Sequence, residues 1–436
     1  MKTLTGPCKG TTGVRRSLDH QTAFRSGGSF SRRGDEAISR AGGARGPKRP
    51  RCVMLRCAAL QPRFLSSNGA WVPAFAKVHI RRPRTTSIDA SPQHQLAMCA
   101  AAARTVNLLV VTSKDAPELE VLKGLPDNVH IMATGRTMEE LAHMEGQWDS
   151  VEAMLLCGLL KNFTTKDTLK ELFSKVKNLK WMHVATAGVD HLLFPELVES
   201  DVALTNAQGA YSHSLAEYAI TACNWFAKDL PRMRAAQKAK KWDVFDVEEL
   251  RGSTMGVVGL GDIGSACARL GRAFKMNVVG LRRNVQMSEE EQREGLVDKI
   301  YPPEELCSLM STSDYVVAAL PMTPHTNKFI NREAIQAMKP NGVFINVGRG
   351  KTVDEQALIE ALQQNAIRGA GLDVFETEPL PEDSPLYTLD NVLMSAHCAD
   401  RTAMFQHDSL GIFVDIAKQY VSTGELRNVV DKRSGY

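Results

Sequence analysis

Residues 254–265 read Thr-Met-Gly-Val-Val-Gly-Leu-Gly-Asp-Ile-Gly-Ser, and the reading of this stretch decides the fold. Met255–Gly259 is a short apolar run of strand length, and Ser265–Phe274 has the composition of a helix. Between them Gly259, Gly261 and Gly264 fall in the spacing G-x-G-x-x-G. Three glycines so spaced recur in ordinary loops. Between a strand and a helix each acquires a task. Gly259 permits the tight turn, Gly261 lets backbone approach a pyrophosphate, and Gly264 lets helix and strand pack closely. The helix start adds free N–H groups and a partial positive charge suited to phosphate. Gly259, Gly261, Asp262, Ile263 and Gly264 are therefore candidate dinucleotide contacts.

On the C-terminal side the apolar runs Asn277–Leu281, Tyr315–Leu320, Gly342–Val347, Gly369–Val374 and Asn391–Ser395 follow. Helix-like segments at Pro303–Ser308, Arg332–Met338 and Asp354–Gln364 separate them. With Met255–Gly259 these make six strands, enough for a complete doubly wound parallel sheet. On the N-terminal side Val106–Val111, Val129–Ala133, Ala153–Cys157, Trp181–Ala185 and Val202–Thr205 alternate with helical segments such as Thr165–Lys177. Continuous short apolar runs of this kind predict parallel strands buried on both faces, here in a second α/β unit. Ser212–Lys228 reads as a long helix entering the glycine-containing unit, and Leu410–Tyr420 as an amphipathic helix after its last strand.

The whole chain has 436 residues, 43% of them hydrophobic, which suits two domains with additions and excludes wholesale disorder. No run of about 18 uncharged apolar residues occurs, so no membrane span is expected. Nine cysteines without a Cys-x-x-Cys pair argue against a disulfide scaffold and against a structural zinc site. The net charge of +4 hides a division. Residues 1–104 carry 19 Lys and Arg, 15 of them Arg, against four acids, a net +15, and the remainder is −11. An Arg-rich, Ser-rich, acid-poor leader predicts an organelle transit peptide, with Met98-Cys99-Ala100-Ala101 resembling a plastid processing site and a mitochondrial destination as the alternative. The rival readings are a basic arm that binds nucleic-acid phosphate, through Lys48-Arg49-Pro50-Arg51 and Arg81-Arg82-Pro83-Arg84, and a tail without a role. The transit reading is preferred, so no nucleic-acid partner is expected.

The end of Asn277–Leu281 bears on the cofactor. An NAD site places a carboxylate there for the ribose hydroxyls. Arg282-Arg283 stands there instead, and a guanidinium fork suits a 2′-phosphate, so NADP(H) is expected, with NAD(H) possible. The plainer reading is two solvated surface cations.

Ligands of open parallel sheets bind beyond the carboxyl ends of the strands. Those ends deliver Arg349 after Gly342–Val347, Asp373 at the end of Gly369–Val374 and Glu378 beyond it, and His397 after Asn391–Ser395. Reducing a 2-keto acid needs a cation for the carboxylate or keto oxygen, a proton donor and a hydride. Arg349 can supply the first and His397 the second, with Glu378 placed to raise the imidazole pKa. Each alone reads more simply as a surface charge or a satisfied polar group; convergence on one crevice is the argument. His183, His191 and His213 lie near the substrate-side strands and helix and are candidates to line the cleft, and His325 reads as a loop residue beside the cofactor. Cys398, next to His397, reads as a small buried residue.

Taken together, Gly259–Gly264, Leu320-Pro321-Met322-Thr323, the run Met338–Gly350, Gly371–Pro379 and His397 resemble the D-isomer-specific 2-hydroxyacid dehydrogenases, over about Val106 to Val430. The resemblance implies a Rossmann cofactor domain at 210–397 and a smaller flavodoxin-like substrate domain at 105–209, to which 398–436 returns. It implies a cleft between them, and a homodimer. It assigns substrate binding to Arg349, acid/base chemistry to His397, support of that histidine to Glu378, and a place near the nicotinamide to Asp373. Pro321, Thr326 and Val347 then become cofactor contacts, and the loops at Gly158 and Ala187-Gly188 contacts of the substrate carboxylate. Two departures stand out. Ala396 replaces the usual Pro before the histidine, and Ala399-Asp400 replaces the usual Gly-Gly, adding bulk and charge beside the substrate. The expected activity is reduction of glyoxylate or hydroxypyruvate to the D-hydroxy acid. The alternatives are D-3-phosphoglycerate dehydrogenase and, in another class, a cofactor-sensing interaction protein similar to the C-terminal-binding-protein corepressors.

Overall fold

The computed structural model describes residues 104–157 and 164–436. The leader up to residue 103 and Gly158 lie outside the described residues.

Among the described residues twelve strands form two wholly parallel sheets. The first holds β1 (Val106–Val111), β2 (Val129–Thr134), β3 (Ala153–Leu156), β4 (Trp181–Val184) and β5 (Ala203–Asn206), in the order β2-β1-β3-β4-β5. That is the flavodoxin order. The inner strands β1, β3 and β4 are mostly apolar because both their faces are covered, whereas the edge strand β2 is partly exposed. Leu109, Met154 and Met182 pack on one face, and Val106, Leu108 and Trp181 on the other. The helices of this half are α1 (Lys166–Lys175), capped by the Thr165 hydroxyl, and the short α2 (Pro195–Glu199).

From β5 the chain enters α3 (Ser212–Ala227), then α4 (Leu230–Lys238), which buries nothing. The second sheet comprises β6 (Thr254–Val258), β7 (Asn277–Leu281), β8 (Lys299–Tyr301), β9 (Tyr315–Ala318), β10 (Val343–Asn346), β11 (Gly369–Leu372) and β12 (Val392–Met394). Their order is β12-β11-β10-β9-β6-β7-β8, the doubly wound arrangement with one further strand at its edge. The helices of this half are α5 (Asp262–Ala273), α6 (Glu289–Glu294), α7 (Leu306–Thr312), α8 (Arg332–Gln336) and α9 (Glu355–Gln363). The sheet holds seven strands rather than the expected six. The additional β8, Lys-Ile-Tyr, is too short and too mixed to stand out as an apolar run.

The final helix α10 (Phe405–Thr423) leaves the second sheet and lies on the first. Leu410, Phe413, Ile416 and Ala417 complete the core over Val106 and Trp181. Phe413 stacks on the Trp181 ring at 5.1 Å between centroids.

Candidate active site

The order of the second sheet reverses between β6 and β9, which opens a crevice over their carboxyl ends. The glycine turn sits there. Gly259 has φ +100°, a conformation that favours glycine. A Cβ on Gly264 would lie 1.9 Å from the Gly259 carbonyl oxygen, so strand and helix meet there at a distance only glycine allows. A Cβ on Gly261 would meet nothing within 4 Å; it would stand in open space above the helix start. Gly261 is the N-cap, so α5 begins at Asp262, inside the motif and earlier than its composition suggests.

Two cavities flank this turn. One, of about 570 Å³, is lined by Gly259, Gly261, Pro321, His325, Thr326 and the Arg282–Asn284 loop. The other, of about 440 Å³, is lined by Ile263 and Val347 on the cofactor side and by Ala187 and Gly188 on the other. A dinucleotide laid over the turn would place a half in each, with its diphosphate in the space a Gly261 Cβ would fill. The residues present thus fit the cofactor. Thr326 braces its wall from within: its hydroxyl donates to the Pro321 carbonyl at 2.6 Å.

Arg349, Glu378 and His397 all line the second cavity. Nδ1 of His397 lies 2.7 Å from Oε2 of Glu378, whose other oxygen accepts from the Phe375 N–H at 3.0 Å. The bond to Glu378 raises the His397 pKa above its ordinary value against the opposing effect of burial. For Glu378, burial pushes upward, but the bonds from His397 and the Phe375 amide outweigh it and leave the carboxyl below its usual range. Asp373 is buried, and its Oδ1 accepts from Ser395 Oγ at 2.7 Å and from the amides of Cys398 and Ala399 at 3.0 and 3.1 Å. Its carbonyl accepts from the His397 amide at 2.8 Å. Asp373 therefore fixes the turn that carries His397, whose φ is +49°, as well as lining the cavity. Cys398, expected to be buried, is exposed.

Arg349 reaches across the crevice. Its Nε donates to Asp190 Oδ1 at 3.2 Å and its Nη1 to the Gly348 carbonyl at 2.9 Å. Gly188 lies so close that a Cβ there would sit 1.5 Å from Arg349 Nη2. Asp190 and Lys351 were not legible in the sequence as site residues, because only the fold sets Asp190 against a residue 159 positions away. Asp400 also lines this cavity, and burial followed by the neighbouring Asp373 raises its pKa.

Other expectations need correction. Arg282 does not present a free fork. Both terminal nitrogens bond the Glu291 carboxylate, and Nε donates to the Asn284 carbonyl at 2.6 Å. Glu291 caps α6 through a capping box, and the loop after β7 curls back to bring it to Arg282. Arg282 in turn holds the Glu291 carboxyl down at about 2. Arg283 keeps its place at the first cavity, bonded to the Tyr436 hydroxyl. Of the histidines, His191 lines the second cavity and His325 the first. His183 is instead in the core, bonded through Nδ1 to Thr205 at 2.8 Å, with burial lowering its pKa to about 3. His213 is exposed at the start of α3.

Comparison with known proteins agrees with this geometry. Residues 221–399 match the family model for the NAD binding domain of D-isomer specific 2-hydroxyacid dehydrogenases. Over 304 residues the chain is 37% identical to a D-3-phosphoglycerate dehydrogenase of Methanocaldococcus jannaschii, covering 69% of this chain and 55% of that one. It therefore spans little more than half of that relative. Over 265 residues it is 34% identical to a glyoxylate/hydroxypyruvate reductase B of Enterobacter sp., covering 59% of this chain and 79% of the other. A solved D-isomer specific 2-hydroxyacid dehydrogenase of Xanthobacter autotrophicus Py2, in complex with NADPH and MES, superposes with TM-score 0.63 at 29% identity, over 76% of this chain and all of that one. The chain belongs to the D-isomer specific 2-hydroxyacid dehydrogenase family.

Proposed function

We propose that the chain reduces a small 2-keto acid of the glyoxylate or hydroxypyruvate type to the D-2-hydroxy acid, with NADPH as the preferred reductant. One observation carries the reading: a guanidinium and a carboxylate-backed imidazole line one cavity with Ile263 of the glycine motif. A nicotinamide held over the glycine turn would supply the hydride for C2 of the substrate. Arg349, oriented by Asp190, binds the substrate carboxylate and keto oxygen as a planar donor. His397, held through Nδ1, presents Nε2 to the keto oxygen and delivers its proton as the carbonyl becomes an alcohol. One keto acid, one reduced cofactor and one proton give one hydroxy acid and one oxidised cofactor. His397→Ala should lower kcat about 10²–10⁴-fold, the usual worth of a positioned proton donor. Wild-type kcat in that variant would refute the role.

Support for NADPH comes from arginines in place of an acid directly after β7, from Arg283 on the first cavity and from the NADPH held by the Xanthobacter relative. Comparing kcat/KM with NADPH and NADH tests it, and a higher value with NADH would end it. D-3-phosphoglycerate dehydrogenase is a second reading, favoured by the Methanocaldococcus relative and by Lys351 at the cavity. Against it, Asp190, Glu376 and Asp400 line the same cavity and would repel a substrate phosphate.

The chain is further read as a homodimer. Trp242 is 93% exposed and Val244 81%, beyond a helix with no buried residue, and a second copy of the chain would cover this strip. Light scattering on the wild type and on Trp242→Glu tests this, a monomeric wild type being the adverse result. The leader's charge supports import into a plastid; a fluorescent protein fused to residues 1–104 and found in the nucleus or cytosol would overturn that.

A further inference from the structure

We infer that the segment Asp431–Tyr436 forms a wall of the cofactor cavity and supplies Arg433 as a cation for the 2′-phosphate of the cofactor. The inference rests on the NADPH reading. Its starting point is the engagement of Arg282 with Glu291, which leaves the ribose end of the cavity one cation short of the pair in the sequence.

The segment reaches that end of the cavity by a fixed route. The Val430 amide donates to the Leu204 carbonyl of β5 at 2.8 Å, and Lys432 Nζ donates to the carbonyls of Ser200 and Val202 at 2.6 and 2.7 Å. These bonds tie it to the first sheet. The Asp431 carboxylate then folds the chain into a compact turn. It accepts from the amides of Arg433 and Ser434 at 2.9 and 3.2 Å and from Ser434 Oγ at 2.6 Å. The Gly435 amide donates to the Asp431 carbonyl at 2.7 Å and closes it. At Gly435, where φ is +81°, a Cβ would lie 3.8 Å from Leu193 Cδ1 and 3.9 Å from the Met322 carbonyl oxygen. The turn is thus seated between a residue of the first half and a loop of the second.

Beyond it, the Tyr436 hydroxyl bonds Arg283, whose guanidinium stands 5.4 Å from the ring centroid. Arg433, Ser434 and Tyr436 line the cavity together with Gly259, Gly261 and Arg283. Arg433 is exposed there, on a backbone that the Asp431 turn holds in place. A cation so placed meets a phosphate on the ribose but has no counterpart on a bare hydroxyl. It therefore contributes to selectivity for the phosphorylated cofactor and not to hydride transfer.

The test is calorimetric titration of the full chain with adenosine 2′,5′-bisphosphate and with 5′-AMP, so that binding is read apart from turnover. Arg433→Ala should weaken the bisphosphate about tenfold while changing 5′-AMP by less than about twofold, as loss of one charge-assisted contact predicts. Arg433→Lys should restore most of the loss. Equal weakening of both ligands, no weakening, or tighter binding of both would each overturn the proposal, the last showing a plug rather than a wall. The NADPH reading fails separately, if the wild type binds the bisphosphate no better than 5′-AMP. Whether Arg433→Ala weakens the bisphosphate alone still decides the role of Arg433.

Discussion

Gly188→Ala isolates the placement of Arg349 from its chemistry. The new methyl carbon would fall 1.5 Å from Nη2 and 2.7 Å from Cζ of Arg349. Non-bonded carbon and nitrogen settle near 3.5 Å, so the guanidinium must retreat by roughly 2 Å. It is the far end of a flexible side chain, so the retreat costs little folding energy, but it breaks the 3.2 Å contact with Asp190 and removes the planar donor from the substrate's carboxylate. Loss of one charged hydrogen bond is worth about 1.5–3 kcal/mol. At 1.36 kcal/mol per factor of ten, kcat/KM for glyoxylate or hydroxypyruvate should fall about 10- to 150-fold. KM should carry most of the loss. The assay is steady-state reduction followed at 340 nm (the nicotinamide absorbance), with NADPH affinity and Tm measured alongside. Affinity for NADPH should change by less than about twofold, since no cofactor contact is touched, and Tm should move by only about 2–4 °C. A kcat/KM within about threefold of wild type, under one RT-scaled hydrogen bond, would refute the claim that Arg349 binds substrate from this position.

Four further outcomes follow from the same geometry. Glu378→Gln removes the group that raises the His397 pKa, so the alkaline limb of kcat/KM for reduction should move to lower pH; an unmoved limb would detach Glu378 from the histidine. The same pair adds stability that is fully present below the unfolded histidine pKa and above the unfolded glutamate pKa, so the Tm gap between wild type and variant should be widest between about pH 4.5 and 6.5 and close as pH rises through the raised His397 pKa. Gly264→Ala places a methyl 1.9 Å from backbone that cannot swing away; it should abolish measurable NADPH binding and cost about 1–3 kcal/mol or more in denaturant unfolding, and retained binding would dismiss the close-approach argument. Asp400→Asn should raise kcat/KM for a 2-keto dicarboxylate relative to hydroxypyruvate by about tenfold, by removing a negative charge from the cavity; an unchanged ratio on a substrate panel would place Asp400 away from the substrate's tail.

The parallel strands were legible because burial on both faces writes them as apolar runs: Val106–Val111 and Asn277–Leu281 match to the residue. The glycine turn was legible because each glycine has a local cause. What escaped was set by distance along the chain or by weak patterning. β8 carries a lysine in three residues, and α4 has no apolar face to mark it. The pairing of Arg282 with Glu291 depends on a loop that doubles back, so two adjacent arginines looked equivalent when the fold separates their roles. Asp190 and Arg433 enter their cavities from chain segments far from the motifs, and only the tertiary arrangement shows them there.

The position of α10 has a bearing on how the molecule is born. Leu410, Phe413 and Ile416 are fully buried against Val106 and Trp181, so the first sheet is covered by a helix synthesised after the whole of the second. Each of those side chains adds about 1.5–3 kcal/mol on burial. Until they leave the ribosome, the early half keeps a bare apolar flank, while the glycine-turn half, complete by β12, can already settle. The order of maturation then runs against the order of translation, and a nascent chain stalled before Phe405 would be a natural client for chaperones.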